Sequence, residues 1–77
     1  MSIKVRYFAS LKETLGRSED LLPFSESLSV RQIWLLLNPD RVDPETLLAA
    51  INMEYVGLDA MVGDGAELAF FPPVTGG

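Results

Sequence analysis

Ile3, Val5 and Tyr7 alternate with Lys4, Arg6 and Phe8, the two-residue period of a half-buried strand. Phe8 falls on the polar side of that alternation. Ala9 to Leu15 fits a short helical turn, stopped by Gly16. Ser18 to Phe24 is a weaker strand, with Leu21, Leu22 and Phe24 as its apolar members. The sharpest local signal is Leu28-Ser29-Val30-Arg31-Gln32-Ile33. Ser29 as N-cap with Gln32 three residues on makes a capping box, and Leu28 and Ile33 can staple it. Val30, Ile33, Trp34 and Leu37 then share one face of a helix of about two turns. Trp34 on that face reads as a core residue rather than a binding aromatic. Pro39 ends the helix.

Beyond the polar stretch Asn38 to Thr46, the run Leu47 to Asn52 is ambiguous. Asp43-Pro44 would cap a helix well, and the leucines and alanines that follow favour one. The run is short, however, and Tyr55-Val56 follows a plausible turn at Asn52 to Glu54, so a hairpin is expected. Gly63-Asp64-Gly65 marks another tight turn, too short to cradle a phosphate. Glu67 to Phe71 is the last strand, with Leu68 and Phe70 on one face and Ala69 and Phe71 on the other. Strands followed by a helix and then more strands predict an α+β domain, one helix across one sheet.

Composition narrows the chemistry. The 77 residues form one domain with 48% apolar residues, which argues against disorder. A chain of this size buries about 60% of its unfolded surface, leaving little room for an enclosed substrate cavity. Neither cysteine nor histidine occurs, so disulfides, thiolate chemistry and imidazole acid-base work are excluded. Isolated carboxylates make a poor transition-metal site, and no bound cofactor is expected. No stretch is long enough to span a bilayer, Met1 to Ser10 does not read as a signal peptide, and cytoplasmic residence is expected. The net charge is −5, and from Val42 onward there are six acids and no base. That half repels phosphate backbones, so nucleic acid is an unexpected partner.

The ending, Pro72-Pro73-Val74-Thr75-Gly76-Gly77, reads as an extended tail of residues 72–77 on a folded body of residues 1–71. Prolines favour an extended path, and glycines let backbone pass where side chains cannot. Such a tail reaches roughly 20 Å. With the usual catalytic sets excluded, the α-carboxylate of Gly77 is the remaining reactive group. It becomes useful only when a partner converts it to a mixed anhydride, which a sulfide equivalent or an amine can then attack.

Leu47-Leu48-Ala49-Ala50-Ile51-Asn52 and the stretch from Val62 through Phe70-Phe71-Pro72-Pro73-Val74-Thr75-Gly76-Gly77 resemble the small subunit of molybdopterin synthase. Ile3 to Ala9 and Leu15-Gly16 fit the same family. The resemblance covers essentially the whole chain, with Arg17 to Thr46 matching mainly in pattern. It implies a ubiquitin-like β-grasp fold, a mixed sheet packed against one main helix. It also implies a sulfur carrier. A ubiquitin-activating-like adenylyltransferase consumes ATP to activate the terminal glycine, a sulfur donor converts it to a thiocarboxylate, and the tail enters the large catalytic subunit. There the sulfur passes to cyclic pyranopterin monophosphate, and two charged carriers build the dithiolene. On this chain Gly77 would bear the sulfur, with Gly76 its slim neighbour, in a heterotetramer whose catalytic pocket lies on the large subunit.

The implied fold makes the first and last strands parallel neighbours. Phe8 and Phe71 would then form one apolar patch on the side away from the helix, joined by Leu58. Together with Pro72, Pro73, Val74 and Thr75 these are the expected partner-contacting residues, since clustered exposed aromatics mark interfaces. Three other readings stay open. One is the thiamin-thiazole carrier, whose tail also ends in two glycines but resembles Phe70 to Thr75 less well. Another is a ubiquitin-like modifier joined to lysines through Gly77. The third is a non-covalent binding module with an incidental tail.

Overall fold

A computed structural model describes residues 1–39 and 43–73. β1 (Ser2–Tyr7) buries Ile3, Val5 and Tyr7 on one face and leaves Lys4 and Arg6 on the other. α1 (Ser10–Leu15) follows and stops at Gly16, whose φ of 75° is left-handed, a conformation glycine adopts without steric cost. β2 (Glu19–Pro23) then runs antiparallel to β1. The capping box forms as the sequence predicts. The Ser29 hydroxyl accepts from the Gln32 N–H at 3.1 Å and the Gln32 side chain accepts from the Ser29 N–H at 2.8 Å. It opens α2 (Val30–Leu37), which buries Val30, Ile33 and Trp34 against the sheet.

The ambiguous run is a hairpin, not a helix. Asp43 and Pro44 initiate only a single 3-10 turn, Pro44–Thr46, with the Asp43 carboxylate accepting from the Glu45 N–H. β4 (Leu48–Ile51) and β5 (Glu54–Val56) pair antiparallel across Asn52 and Met53. Two short strands were not legible in the sequence. β3 (Leu28–Ser29) and β6 (Met61–Val62) form a separate two-stranded ladder beside the start of α2. Runs of two residues are too short to show a period. β7 (Glu67–Phe71) completes the main sheet, whose strand order is β2-β1-β7-β4-β5.

β7 is therefore central, parallel to β1 and antiparallel to β4. A five-stranded mixed sheet crossed by one main helix is the β-grasp arrangement. Its core is aromatic. Trp34 meets Phe70 edge-on at 4.9 Å, and Tyr7 lies nearly parallel to Phe70 at 6.2 Å. Each such pair adds about 0.5–1.5 kcal/mol beyond the area it buries.

At the far end of the core, Tyr7 donates to the Asp20 carboxylate at 2.7 Å and accepts from the Asn38 amide at 3.1 Å. Arg17 bonds Asp20 at 2.7 Å, the Leu37 carbonyl at 3.2 Å and the Asn38 side-chain oxygen. This network stitches the end of β1 and the start of β2 to the last turn of α2. Its guanidinium also supplies a partner for carbonyls that a helix end leaves open.

Candidate functional site

Side chains alternate across a strand, so residues next to the buried ones point to the sheet face without a helix. These include Arg6 on β1, Phe8 directly after it, and Glu67, Ala69 and Phe71 on β7. The parallel register sets Tyr7 opposite Phe70, and the Phe8 N–H reaches the Phe70 carbonyl at 3.1 Å. Phe8 and Phe71 are thereby carried to the same level of the open face. Their rings stack with centroids 5.0 Å apart and planes 10° apart. Tyr55 of β5 leans on Phe71 at 5.8 Å. The Arg6 guanidinium lies 5.2 Å from the Phe8 centroid and bonds the Glu67 carboxylate at 3.3 Å.

Beside the stack is a hollow of about 240 Å³ lined by Phe8, Ala50, Met53, Glu67, Ala69 and Phe71. Ala50 and Ala69 sit directly opposite each other across the β4–β7 ladder and form its floor. The lining contains no nucleophile with a base beside it, and its one carboxylate is held by Arg6. The lining is otherwise apolar.

The expected pairing of Phe8 with Phe71 on the face opposite the helix is present. Leu58 corrects the expectation. It lies in the turn after β5, packs partly buried against the core, and its carbonyl accepts from the Arg31 N–H at 3.0 Å. That bond ties it to the first turn of α2, on the helix side, so it does not join the aromatic patch. Pro72 is half-buried and Pro73 exposed directly beyond β7. Val74, Thr75, Gly76 and Gly77 lie outside the described residues.

Tyr55, Met53, Ala50 and Ala69 were missed as site residues. The strand pairing that gathers them is not visible until the hairpin and the β4–β7 register are known. Met53 alone carried a local hint, an apolar residue at the tip of an expected turn. Perturbed titrations lie elsewhere. Burial, with the Asp20 carboxylate adding to it, raises the Tyr7 phenol above 10.0, while Asp20 raises the Arg17 guanidinium. Arg31, bonded to Glu45 and Asp59 at the start of α2, is raised as well. Among the described residues, no helix is long and apolar enough to cross a membrane.

A family model, described as the ThiS family, matches residues 5–77. The molybdopterin synthase sulfur carrier subunit of Escherichia coli strain K12 is 40% identical over 81 aligned positions, covering 97% of this chain and 99% of that protein. The crystal structure of SAMP1 from Haloferax volcanii superposes with a TM-score of 0.76 at 25% identity, over all of both chains. A complex of subunits 1 and 2 of the molybdopterin-converting factor from Helicobacter pylori contains a chain of the same fold. That match has a TM-score of 0.64 and 20% identity, again over the full length of both chains.

Proposed function

Because the chain belongs to the ThiS family, we propose that it is the sulfur-carrier subunit of a molybdopterin synthase, working through its carboxyl-terminal segment. The observation that carries this reading is the Phe8–Phe71 stack on the helix-free face of the sheet. It supports the reading because it sets an exposed-face apolar patch directly before Pro72, where a partner that takes the tail would meet it.

The chemistry proposed at the tail is acyl transfer. The Gly77 carboxylate attacks the α-phosphorus of ATP on an adenylyltransferase, releasing pyrophosphate and forming an acyl-adenylate. A sulfide equivalent from a sulfur donor displaces AMP and leaves a thiocarboxylate. The tail then enters the large subunit, where the thiocarboxylate sulfur bonds to a carbon of cyclic pyranopterin monophosphate and water cleaves the acyl–sulfur bond, returning the Gly77 carboxylate. Two loaded carriers supply the two sulfurs of one dithiolene. Gly76, Thr75, Val74, Pro73 and Pro72 form the slender stem that passes through the partner's channel. Phe8 and Phe71 hold the folded body against it. A cytoplasmic location, where ATP is at hand, belongs to the same reading, as does assembly with two large subunits and two carriers.

The direct test is intact mass after incubation with the adenylyltransferase, ATP and a sulfur donor. Exchange of one oxygen for sulfur, confined to Gly77, is expected. A chain with one alanine appended after Gly77 should fold with unchanged Tm and acquire no sulfur there. Sulfur loading of the extended chain at any other residue would sink the reading. Likeness to SAMP1 keeps one rival in view, a modifier joined to lysine amines. It predicts covalent protein adducts in cells that vanish when Gly76 and Gly77 are deleted.

A further inference from the structure

The hollow on the open face has an unusual construction. Its floor is two alanines in register, where strands ordinarily place larger β-branched or aromatic residues. One wall is Met53, which is 93% exposed. It stands at φ 72°, after Asn52 at φ 49°. Two successive positive φ values in a two-residue hairpin loop make a turn that favours glycine at the second position. Methionine there is unfavourable for the backbone and leaves an apolar side chain in water. The other wall is the Phe8–Phe71 stack. Glu67, the one charged lining residue, is bonded to Arg6, so an ionic anchor from outside would compete with a bond already made.

We propose that this hollow is a socket for one apolar side chain, aliphatic or aromatic, projecting from the partner surface that receives the tail. Ala50, Ala69 and Met53 set which partner fits. The occupant follows from continuity: Phe71 is both a wall of the hollow and the residue before Pro72, so the hollow adjoins whatever protein takes the tail. The size agrees. About 240 Å³ exceeds the roughly 150 Å³ of an apolar cavity that takes up benzene. A single anchor filling such a site and excluding water is the usual form of a binding hot spot. The inference rests on the carrier reading.

The experiment is calorimetric titration of the full-length chain into the large synthase subunit from the same source. The wild type, Ala69→Leu and Met53→Gly are compared, with Tm and sulfur loading followed in parallel. Ala69→Leu fills the socket from its floor and should bind at least tenfold more weakly with its fold intact. Met53→Gly removes a wall and should bind several-fold more weakly while its Tm holds or rises, a split that a merely structural role would not produce. Because Met53 is exposed, this variant keeps the test decisive if Ala69→Leu is poorly folded. Equal affinity of wild type and Met53→Gly overturns the socket and leaves the carrier reading standing. Failure of the wild type both to bind and to load sulfur overturns both. If sedimentation shows the isolated chain dimerising through this face and Ala69→Leu abolishing it, the occupant is a second copy and the proposal falls.

Discussion

Tyr7 shows how one residue joins two tasks. Its ring packs against both Phe70 and Trp34, while its hydroxyl joins the bonds among Arg17, Asp20 and Asn38. Sequence alternation placed the ring in the core but could not place the hydroxyl. Its partners lie on β2 and beyond α2, and only the packed fold brings them near. Tyr7→Phe should cost about 1–2 kcal/mol at neutral pH, because the Asn38 amide and Asp20 each lose a buried partner. The pH dependence has a definite sign. The folded-state phenol is raised above 10.0, chiefly by burial, so its contribution is complete below pH 10. It is lost as pH rises, because the unfolded chain releases that proton first. Urea melts from pH 7 upward should therefore show the wild type falling toward the variant at alkaline pH. A constant gap would mean that the phenol is not shielded from water.

At the level of elements, local signals were reliable wherever a cap or a period was complete. The Ser29–Gln32 box, the α2 face and the alternation of β1 and β7 all needed only near neighbours in sequence. Ser29→Ala should lower stability by about 1 kcal/mol, read from chemical denaturation, since it removes the acceptor for the Gln32 N–H. An unchanged midpoint would show that the box contributes nothing to the fold. The hairpin from Leu48 to Val56 was harder to read, because leucine and alanine suit a helix. Tertiary pairing of β4 with the central β7 overrides that preference. The misplacement of Leu58 has a similar origin. Its side of the sheet is decided by the connection to α2, for which the sequence offers no spacing rule.

For the whole molecule, the aromatic patch and the core use opposite faces of the same two strands. Tyr7 and Phe70 look inward while Phe8 and Phe71 look outward, so the aromatic patch stands on a rigid base. Within the described residues the buried hydrophobic core extends from Ile3 to Phe70 and draws on neither Pro72 nor Pro73. Deleting residues 74–77 should therefore leave Tm within about 1 °C, by the scaling of Tm with stability for a domain of this size, while ending sulfur transfer. A large drop in Tm would mean that the tail is part of the fold and not its cargo arm. The resemblance supplied the carrier chemistry. Geometry contributed the alanine floor and the methionine wall, both invisible until two non-adjacent strands were set side by side.

Among the described residues, the strand at the middle of the main sheet is the last in chain order. Until residue 71 has emerged from the ribosome, β1 and β4 have no common neighbour and keep open edges, a hazard for aggregation. A product of premature termination upstream of β7 thus fails to close its sheet and is exposed to proteases. The sheet therefore closes only when β7 is available, and the body that carries Phe71 and Pro72 forms with it.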